Sequence, residues 1–407
     1  MADAETSQAS NTQRRSRLPI EQRRSDILRT GARLFQQRGY TGVSIDDIGA
    51  ALGVTGPAVY RYVDGKQGLL CEIAVGMADL LVKEAEKIIA MELAPDATID
   101  GLITSMAAQC LRYPSETAVC LRHMWSLDDD HQPTFFERWN VLTDLWAPAV
   151  NAVRPGLSRA DAGLYVRAGT GLVMGSARST SSVPRTRLIE IVSSMLRAML
   201  DVQLEPTPVG GDPIADDASG GWERSSRREQ LLSAAIALFR ARGFRGVSLA
   251  QIAQEVGVTA SAAYRHFKNK EDILATGIDR AGDRMTLGLD EALKNATSAH
   301  DALDRLLVNY IRIGLENRDL IAVSTSEYHH LPDELRQRRR KRQQLFNDEW
   351  THCMATTHHW LSRAEAAAVV NGIIGMLTEV ARSASLGRRQ RLADDLYQLA
   401  HASLMQA

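Results

Sequence analysis

The chain has 407 residues, of which 44% are hydrophobic and 24% charged, and its formal net charge is −1. This length exceeds a single ordinary core, so at least two domains are expected, and the near-zero charge argues against a protein that coats nucleic acid indiscriminately. The sequence shows no signal-peptide pattern and no apolar run approaching the roughly 18 residues of a membrane span, so we expect a cytoplasmic protein without a membrane partner.

The first 70 residues predict a basic arm followed by a helical head. Residues 1–19 are polar and then arginine-rich, which favours a disordered arm. In residues 20–70, an amphipathic helix is followed by a second helix, a tight turn and a third helix, which is the helix-turn-helix pattern. Gly39 is predicted to end the first helix and Ser44 to cap the second. Gly53 forms the turn, Thr55 caps the third helix, and that helix ends near Val63.

The remaining sequence predicts a body, a linker and a second unit. Residues 71–204 have apolar residues at helical spacing and predict a bundle. Residues 205–221 combine proline, glycine and aspartate, which indicates an exposed linker. The same order then recurs, with a head at 222–274 and a helical body at 275–407. The predicted fold class is therefore all-α, with two tandem units.

The two units are copies of one domain. Phe35 recurs as Phe239 and Tyr60 as Tyr264, and both offsets are 204 residues. The same offset relates residues 157–162 to residues 361–366, far from the heads. One offset that holds without gaps at separated places indicates duplication of a whole domain rather than chance similarity between alanine-rich helices.

The second head repeats the pattern more cleanly than the first. Gly243 ends its first helix, Ser248 caps the second, and Thr259 caps a third at residues 260–267. In helix-turn-helix proteins such a third helix enters the major groove, and nearby hydroxyl, imidazole and ammonium groups bond to phosphates. The sequence therefore predicts a double-stranded DNA operator as a partner.

Two matching sets of residues are predicted to contact that DNA. In head one they are Ser44, Thr55, Gly56, Pro57, Tyr60, Arg61, Tyr62 and Lys66. In head two they are Ser248, Gln251, Thr259, Ala260, Ser261, Tyr264, Arg265, His266 and Lys270. Small residues dominate the first turn of each third helix, so direct reading of bases rests on Arg61, Arg265 and Gln251, and DNA shape contributes the rest.

The stretch at 259–274, with tyrosine, histidine and lysine at fixed spacing, resembles the signature of the TetR family of transcriptional repressors. The resemblance implies a three-helix DNA-binding head, an all-helical body for a small effector, and DNA contacts from Tyr264, His266 and Lys270. In that family the last long helices pair two subunits. The corresponding segments 165–177 and 369–381 are therefore expected to pair within this chain as a pseudo-dimer, and further homodimerisation of chains stays open.

Head one departs from this signature. Val63 replaces an aromatic core residue, Pro57 lies in the third helix, and Asp64 stands where a basic or polar residue is usual. An acid beside the phosphates opposes DNA binding. Head one is therefore expected to bind more weakly or to read a different half-site, unless Asp64 points into solvent without effect.

The bodies contain features with competing interpretations. Six of the seven residues at 336–342 are basic, which indicates either a solvated helix face or a site for an anionic effector. The cysteines lack metal-type spacing, so we expect buried thiols, no metal and no other cofactor: Cys71, Cys110, Cys120 and Cys353. The segment 318–323 is similar to TetR-type regulators from actinobacteria that sense lipid-derived ligands, and the double-domain layout is similar to actinobacterial regulators of lipid import.

These features together predict a repressor that is released by a small apolar or acyl-type effector. One alternative is a constitutive or architectural DNA-binding protein that uses mainly head two. A more remote alternative is an enzyme, against which the sequence shows no nucleophile–base set, phosphate-binding loop or zinc signature.

Overall fold

In the part of the chain that the structure describes, two runs of nine α-helices make up the fold. The computed structural model describes residues 20–40, 42–128, 130–179, 182–205, 226–383, 386 and 389–407. The helices of copy one are α1 (Ile20–Arg38), α2 (Ile45–Leu52), α3 (Gly56–Val59), α4 (Gly65–Ile89), α5 (Pro95–Arg112), α6 (Pro114–His123), α7 (Gln132–Val153), α8 (Arg159–Ser176) and α9 (Arg185–Asp201). Those of copy two are α10 (Arg227–Arg242), α11 (Leu249–Glu255), α12 (Ala260–Tyr264), α13 (Lys270–Lys294), α14 (Ala299–Glu316), α15 (Arg318–Ser326), α16 (Asp333–Thr357), α17 (Arg363–Arg382) and α18 (Leu392–Met405). Every regular element in these ranges is helical, so the all-α prediction is confirmed.

Long helices connect each head to its body. α4 and α13 each span 25 residues, and the predicted boundaries at residues 70 and 274 fall inside them. A head carried on a continuous helix follows the movement of that helix. The predicted arm at 1–19 and all of the predicted linker except Glu205 lie outside the residues that the structure describes.

Local backbone signals place the helix boundaries of both heads. Gly39 and Gly243 have φ values of 76° and 68° directly after the first helices, a conformation that glycine adopts without steric cost. Ser44 and Ser248 begin the second helices with complete capping boxes. The predicted glycine stops and serine caps are therefore confirmed.

The third helix of each head is shorter than the sequence predicts. α3 ends at Val59 instead of Val63, and α12 ends at Tyr264 instead of Phe267. After Tyr264, the next two backbone N–H groups bond to carbonyls three residues earlier. These bonds tighten the last turn and end the α-helical pattern.

The apolar core is divided unevenly between the heads. The core of head one continues into the bodies as one cluster, which includes the fully buried Phe35 of copy one and Trp350 of copy two. Head two has a cluster of its own around Phe239, to which the body beyond α13 adds Val323 and Leu331. Head two is thus a separate packing unit, whereas head one is not. All four cysteines are free and buried, as predicted.

The two copies meet where α8 crosses α17. A Cβ atom at Gly171 would lie 2.8 Å from the carbonyl oxygen of Gly375, so the absence of side chains permits the backbones to touch. Buried Arg389 also joins the copies, because it pairs with Asp161 of copy one and Asp395 of copy two. The glycine-rich segments expected to pair lie in these two helices.

The polar flanks of this crossing differ on its two sides. Arg167 Nη1 donates a hydrogen bond to Glu379 Oε1 at 2.9 Å, and the Glu379 side chain is only 4% exposed. The counterparts of these residues at the 204-residue offset are Asn371 and Gly175. There a Cβ atom at Gly175 would overlap the backbone carbonyl of Asn371. One flank is therefore an ion pair and the other a close backbone approach.

α17 is long and apolar enough to cross a membrane, although its sequence has no unbroken apolar run of that length. The mean hydropathy of 18 of its residues is high even though polar residues stand among the apolar ones. Because 72% of this window is buried inside the fold, α17 is the core helix of the contact between the copies rather than a membrane span.

Candidate functional site

Most of the predicted DNA-contacting residues are exposed around the second and third helices of each head. Tyr60 and Tyr264 expose 59% and 58% of their surface. The other exposed members are Ser44, Thr55, Pro57, Arg61, Ser248, Gln251, Thr259, Ser261, Arg265 and His266. The half-buried members are Tyr62, Lys66, Ala260 and Lys270. Each head thus presents a surface with hydroxyl, imidazole and guanidinium groups, as contact with phosphates and base edges requires.

Capping bonds hold some of these groups against their own helices. Gln251 Oε1 accepts the backbone N–H of Ser248 at 2.8 Å, while Ser248 Oγ accepts the backbone N–H of Gln251 at 3.3 Å. Ser44 and Asp47 form the same capping box in head one. The amide oxygen of Gln251 is therefore engaged, and a contact with a base edge would have to use its NH2 group.

The third helices begin differently in the two heads. Thr259 Oγ1 accepts the backbone N–H of Ala262 at 3.2 Å, so this cap is confirmed. Thr55 occupies the N-cap position, as predicted, but its side chain makes no capping bond. Pro57 has no N–H, and the N–H of Ala58 bonds to the backbone carbonyl of Thr55 at 3.0 Å instead.

Gly56 is predicted to face DNA, but it is buried. A Cβ atom at Gly56 would overlap the carboxylate of Asp46, which projects from α2. In head two the residues that correspond to Gly56 and Asp46 are Ala260 and Ala250. The head with an aspartate on its second helix is thus the one with a glycine at the start of its third helix. The prediction for Gly56 is corrected: this residue makes room for Asp46 and does not offer a surface to bases.

Head one carries acids near its third helix at positions where head two does not. They are Asp46, Asp47 and Asp64, and their counterparts are Ala250, Gln251 and Lys268. These positions sum to −3 in head one and +1 in head two, a difference of four charges. Glu271 and Asp272 replace Gln67 and Gly68 at the start of α13 and reduce this difference to two. Asp64 is exposed and makes no capping bond, so its carboxylate faces solvent.

The two lysines predicted to bind phosphate lie partly inside their heads. Lys270 Nζ donates to the carbonyls of Phe244 at 2.8 Å and Val247 at 3.0 Å, and it lies 4.3 Å from the centre of the Phe244 ring. Lys66 Nζ lies 4.3 Å from the Tyr40 ring, and burial lowers the pKa of Lys66 to about 8. Both amines hold the loop between the first two helices, and their contact with phosphate stays a prediction.

An open cavity of about 380 Å³ brings four of the predicted residues of head two together. Ser248, Gln251, Tyr264 and Lys270 line it, and so do Arg245 and Glu271. Sequence reasoning missed Arg245 because it lies in a loop without helical periodicity. Two cations, two hydroxyl groups and an amide around one opening form a surface to which a phosphate can bind, although the carboxylate of Glu271 opposes it.

A larger cavity of about 700 Å³ lies between the copies. Its wall is formed mainly by α13, α16 and α17 of copy two, with the end of α1 and Arg178 from copy one. Three residues of the basic run line it: Arg339, Arg340 and Arg342. Lys341 of the same run is exposed elsewhere, so the run serves both as a solvated face and as a cavity wall.

One cluster of metal-ligating residue types joins α14 to α18. Side-chain atoms of His300, Asp304 and His401 lie within 4.8 Å of one another. The Asp304 carboxylate lies 3.3 Å from His401 Nε2 and 3.8 Å from His300 Nε2, so it stands between the two imidazole rings. The i, i+4 spacing of His300 and Asp304 is visible in the sequence, but the approach of His401 depends on helix packing.

Comparison with known proteins gives the same result for both heads. The family profile described as "Bacterial regulatory proteins, tetR family" matches residues 27–73 and again residues 231–276. The HTH-type transcriptional repressor KstR2 of Rhodococcus jostii is 28% identical over 141 residues, which are 34% of this chain and 69% of that protein. The HTH-type transcriptional activator FasR of Mycolicibacterium smegmatis is 32% identical over 99 residues, 24% of this chain and 43% of that protein.

A solved structure of a similar protein matches less than half of this chain. The crystal structure of AibR in complex with isovaleryl coenzyme A and operator DNA matches 42% of this chain and 97% of its own, with a TM-score of 0.38 and 22% identity. Among the curated relatives, the chain spans 69% of the length of KstR2 but only 43% of that of FasR. The two profile matches coincide with the two helix-turn-helix heads. The chain therefore carries two DNA-binding heads that match the tetR family of bacterial regulatory proteins.

Proposed function

We propose that this regulator is a repressor that binds one asymmetric operator with both heads and is released by a small apolar or acyl-type effector. The observation that carries the proposal is the presence of two heads, each with an exposed tyrosine at Tyr60 or Tyr264, joined through the crossing of α8 and α17. Heads joined in this way correspond to the two subunits of a dimeric regulator, and the chain acts as a pseudo-dimer.

The effector acts through the distance between the heads. Paired heads reach successive major grooves when their recognition helices are about 34–36 Å apart. α4 and α13 carry the heads into the bodies, so a ligand that shifts either helix changes this distance. A ligand that prefers the form of the protein in which the heads are too close or too far apart lowers the affinity for the operator. By the same coupling, bound operator DNA lowers the affinity for the ligand by the same factor.

The direction of regulation follows from occupancy of the operator. The relative KstR2 is named a repressor and the relative FasR an activator, so relatives of both kinds occur. We choose the repressor because the proposed regulator binds its operator when ligand is absent and dissociates when ligand binds. Such a protein blocks transcription only while ligand is absent. A promoter–reporter fusion checks this choice, since loss of the gene then raises expression.

Substitution of the two exposed tyrosines tests DNA binding by both heads. We expect Tyr60→Ala and Tyr264→Ala each to weaken binding to DNA upstream of the gene by about tenfold, because each removes a hydroxyl that bonds to phosphate. Leu287→Ala is the matched control, since Leu287 is 67% exposed on α13 and lies outside the heads. Gel-shift titration measures the affinity. Unchanged affinity in both tyrosine variants would show that Tyr60 and Tyr264 do not contact the DNA.

A second candidate is an architectural or constitutive DNA-binding protein that uses mainly head two. The acids Asp46, Asp47 and Asp64 beside the third helix of head one favour it, because they oppose phosphate there. A footprint distinguishes the candidates: protection of two half-sites supports the paired repressor, and protection of one supports the architectural protein.

A further inference from the structure

We propose that the chain has one effector cavity, held mainly by copy two, whose counterpart in copy one is filled by aromatic side chains, and that this cavity takes an organic anion with an apolar chain. The proposal rests on the proposed function and names its effector class and the number of its sites. The cavity of about 700 Å³ between the copies has a volume typical of sites for small organic ligands.

The two copies can be compared position by position here because the repeat also holds in three dimensions. In copy one, Arg138 Nε donates to Asp79 Oδ1 at 2.7 Å. In copy two, Arg342 Nη1 donates to Asp283 Oδ1 at 3.1 Å. Both residues of the second pair stand 204 positions after those of the first, and each pair joins the fourth helix of its copy to the seventh. Residues of α7 and α16 therefore correspond one to one.

Aromatic rings occupy in copy one the positions that line the cavity in copy two. Phe135 and Trp139 are buried and stack with their ring centroids 5.5 Å apart. Phe136 packs edge-on against Phe135 at 5.4 Å. The counterparts of Phe135, Phe136 and Trp139 are Arg339, Arg340 and Gln343, and all three line the cavity. Exchange of three rings for two guanidinium groups and an amide turns a packed apolar core into a polar wall.

The wall of this cavity is cationic. Its charged members are five arginines and one aspartate: Arg178, Arg339, Arg340, Arg342, Arg382 and Asp348. Two of them, Arg342 and Arg382, have carboxylates outside the lining as neighbours. The lining itself thus carries five guanidinium groups against one carboxylate, an excess of four positive charges before any neighbour outside the lining is counted. Guanidinium groups bind carboxylate and phosphate through paired hydrogen bonds, so the wall fits an anion.

The remainder of the wall fits an apolar chain. Met285, Phe346 and Ile374 line the same cavity. A narrow apolar crevice shares Met285 with it and reaches Leu315 and Leu377. A ligand with its charge on the arginines and its chain against these residues removes apolar surface from water without burying an unpaired charge.

The cavity borders head one directly and is linked to head two by one hydrogen bond. Gln36 and Gln37, near the end of α1, form part of its wall, so a bound ligand contacts head one directly. Arg382 lines the cavity from α17, and its backbone carbonyl accepts a hydrogen bond from Arg240 Nη2 at 2.7 Å. Arg240 lies in the first helix of head two. One ligand is thus in a position to shift both heads.

Isothermal titration calorimetry of the full chain with three probes tests the ligand class and the number of sites. Decanoate and decanoyl-coenzyme A combine an anion with an apolar chain, whereas decanol lacks the charge. We expect one site per chain and binding of at least one anion more than about tenfold tighter than decanol. The tighter anion identifies whether carboxylate or phosphate supplies the charge. Two sites per chain, no binding of either anion, or equal binding of decanol would overturn the proposal.

Substitutions copied from copy one locate the site. Arg339→Phe and Gln343→Trp place in α16 the rings found in α7, and each should weaken anion binding by at least about tenfold in a chain whose circular dichroism and melting temperature remain those of a folded protein. Arg339→Gln leaves the cavity open but removes one of its five guanidinium groups, so it should weaken the preference for anions over decanol. Lys341→Phe adds a ring at an exposed position of the same helix and is the matched control.

The outcomes separate this proposal from the proposed function. Anion binding that survives both filling variants overturns the assignment of the cavity. Filling variants that bind the operator but no longer respond to the anion support both proposals. Anion binding at one site in a chain that does not bind its operator supports the cavity and contradicts only the regulatory function.

Discussion

At the scale of single residues, the two heads differ more in charge than in fold. Each has the same glycine stop, serine cap and exposed tyrosine, yet Asp64 of head one stands where head two has Lys268. Phosphate contacts are electrostatic, so an exchange of one acid for one base beside the DNA changes both affinity and its salt dependence. The structure leaves Asp64 exposed to solvent.

Exchange of this charged pair tests the difference between the heads. We expect Asp64→Lys to tighten operator binding and to steepen the slope of log affinity against log salt by about one to two units, because a cation replaces an anion near phosphate. Lys268→Asp in head two is the reciprocal control and should change both quantities in the opposite sense. Fluorescence anisotropy over a range of salt concentrations measures them. A slope unchanged by Asp64→Lys would mean that Asp64 points away from the DNA.

Sequence reasoning succeeded at residues whose roles depend on nearest neighbours. The caps at Ser248 and Thr259 involve groups within three residues, and the glycine conformations depend on the local backbone. It failed at Gly56, whose burial depends on Asp46 from another helix. For Lys270 it did not predict the bonds to the carbonyls of the preceding loop, because only tertiary packing brings them within reach.

At the scale of helices, the contact between the copies depends on residues that have no side chain. Periodicity and composition located the glycine-rich segments of α8 and α17, and the family resemblance supplied the expectation that they pair. The closeness of the crossing, with backbone against backbone at Gly171 and Gly375, could not be read from the sequence. The ends of α3 and α12 were also missed, since the tightened last turn follows from backbone bonding rather than residue type.

A methyl group at this crossing should be costly. A Cβ atom at Gly375 would overlap the carbonyl of Gly171, and backbone cannot move aside as a flexible side chain does. We expect Gly375→Ala to lower the free energy of unfolding by about 1–3 kcal/mol. Gly163→Ala in α8 is the control, because nothing lies within 4 Å of its added Cβ and a helical alanine stabilises by up to about 1 kcal/mol. Urea denaturation measures both, and equal effects would contradict the close crossing.

At the scale of the whole molecule, one apolar core extends from head one through the bodies, while head two has its own. Amphipathic patterns predicted which residues are buried, but the separation of the head-two cluster from the largest cluster is a property of the assembled chain. Regions with separate cores open in separate steps, since the loss of one does not remove the contacts of the other. Head two should therefore open independently.

The equivalent phenylalanines Phe35 and Phe239 test this division. Both are buried, and truncation of either to alanine removes about 3–5 kcal/mol of packing. We expect Phe239→Ala to accelerate amide hydrogen exchange in head two alone, whereas Phe35→Ala accelerates it in head one and in the bodies. Hydrogen exchange followed by mass spectrometry measures which regions exchange faster in each variant. Faster exchange in the bodies of Phe239→Ala would show that the two clusters unfold together.

The unequal flanks of the α8–α17 crossing make each half of the chain dependent on the other. In a pair of two copy-one bodies, Arg167 would lie beside Gly175 and would have no carboxylate as a hydrogen-bond acceptor there. Two copy-two bodies would bury Glu379 beside Asn371 without a cation, at a cost of roughly 3–5 kcal/mol. After duplication the halves have thus diverged into obligate counterparts, and severing the polypeptide would not restore two self-sufficient ancestors.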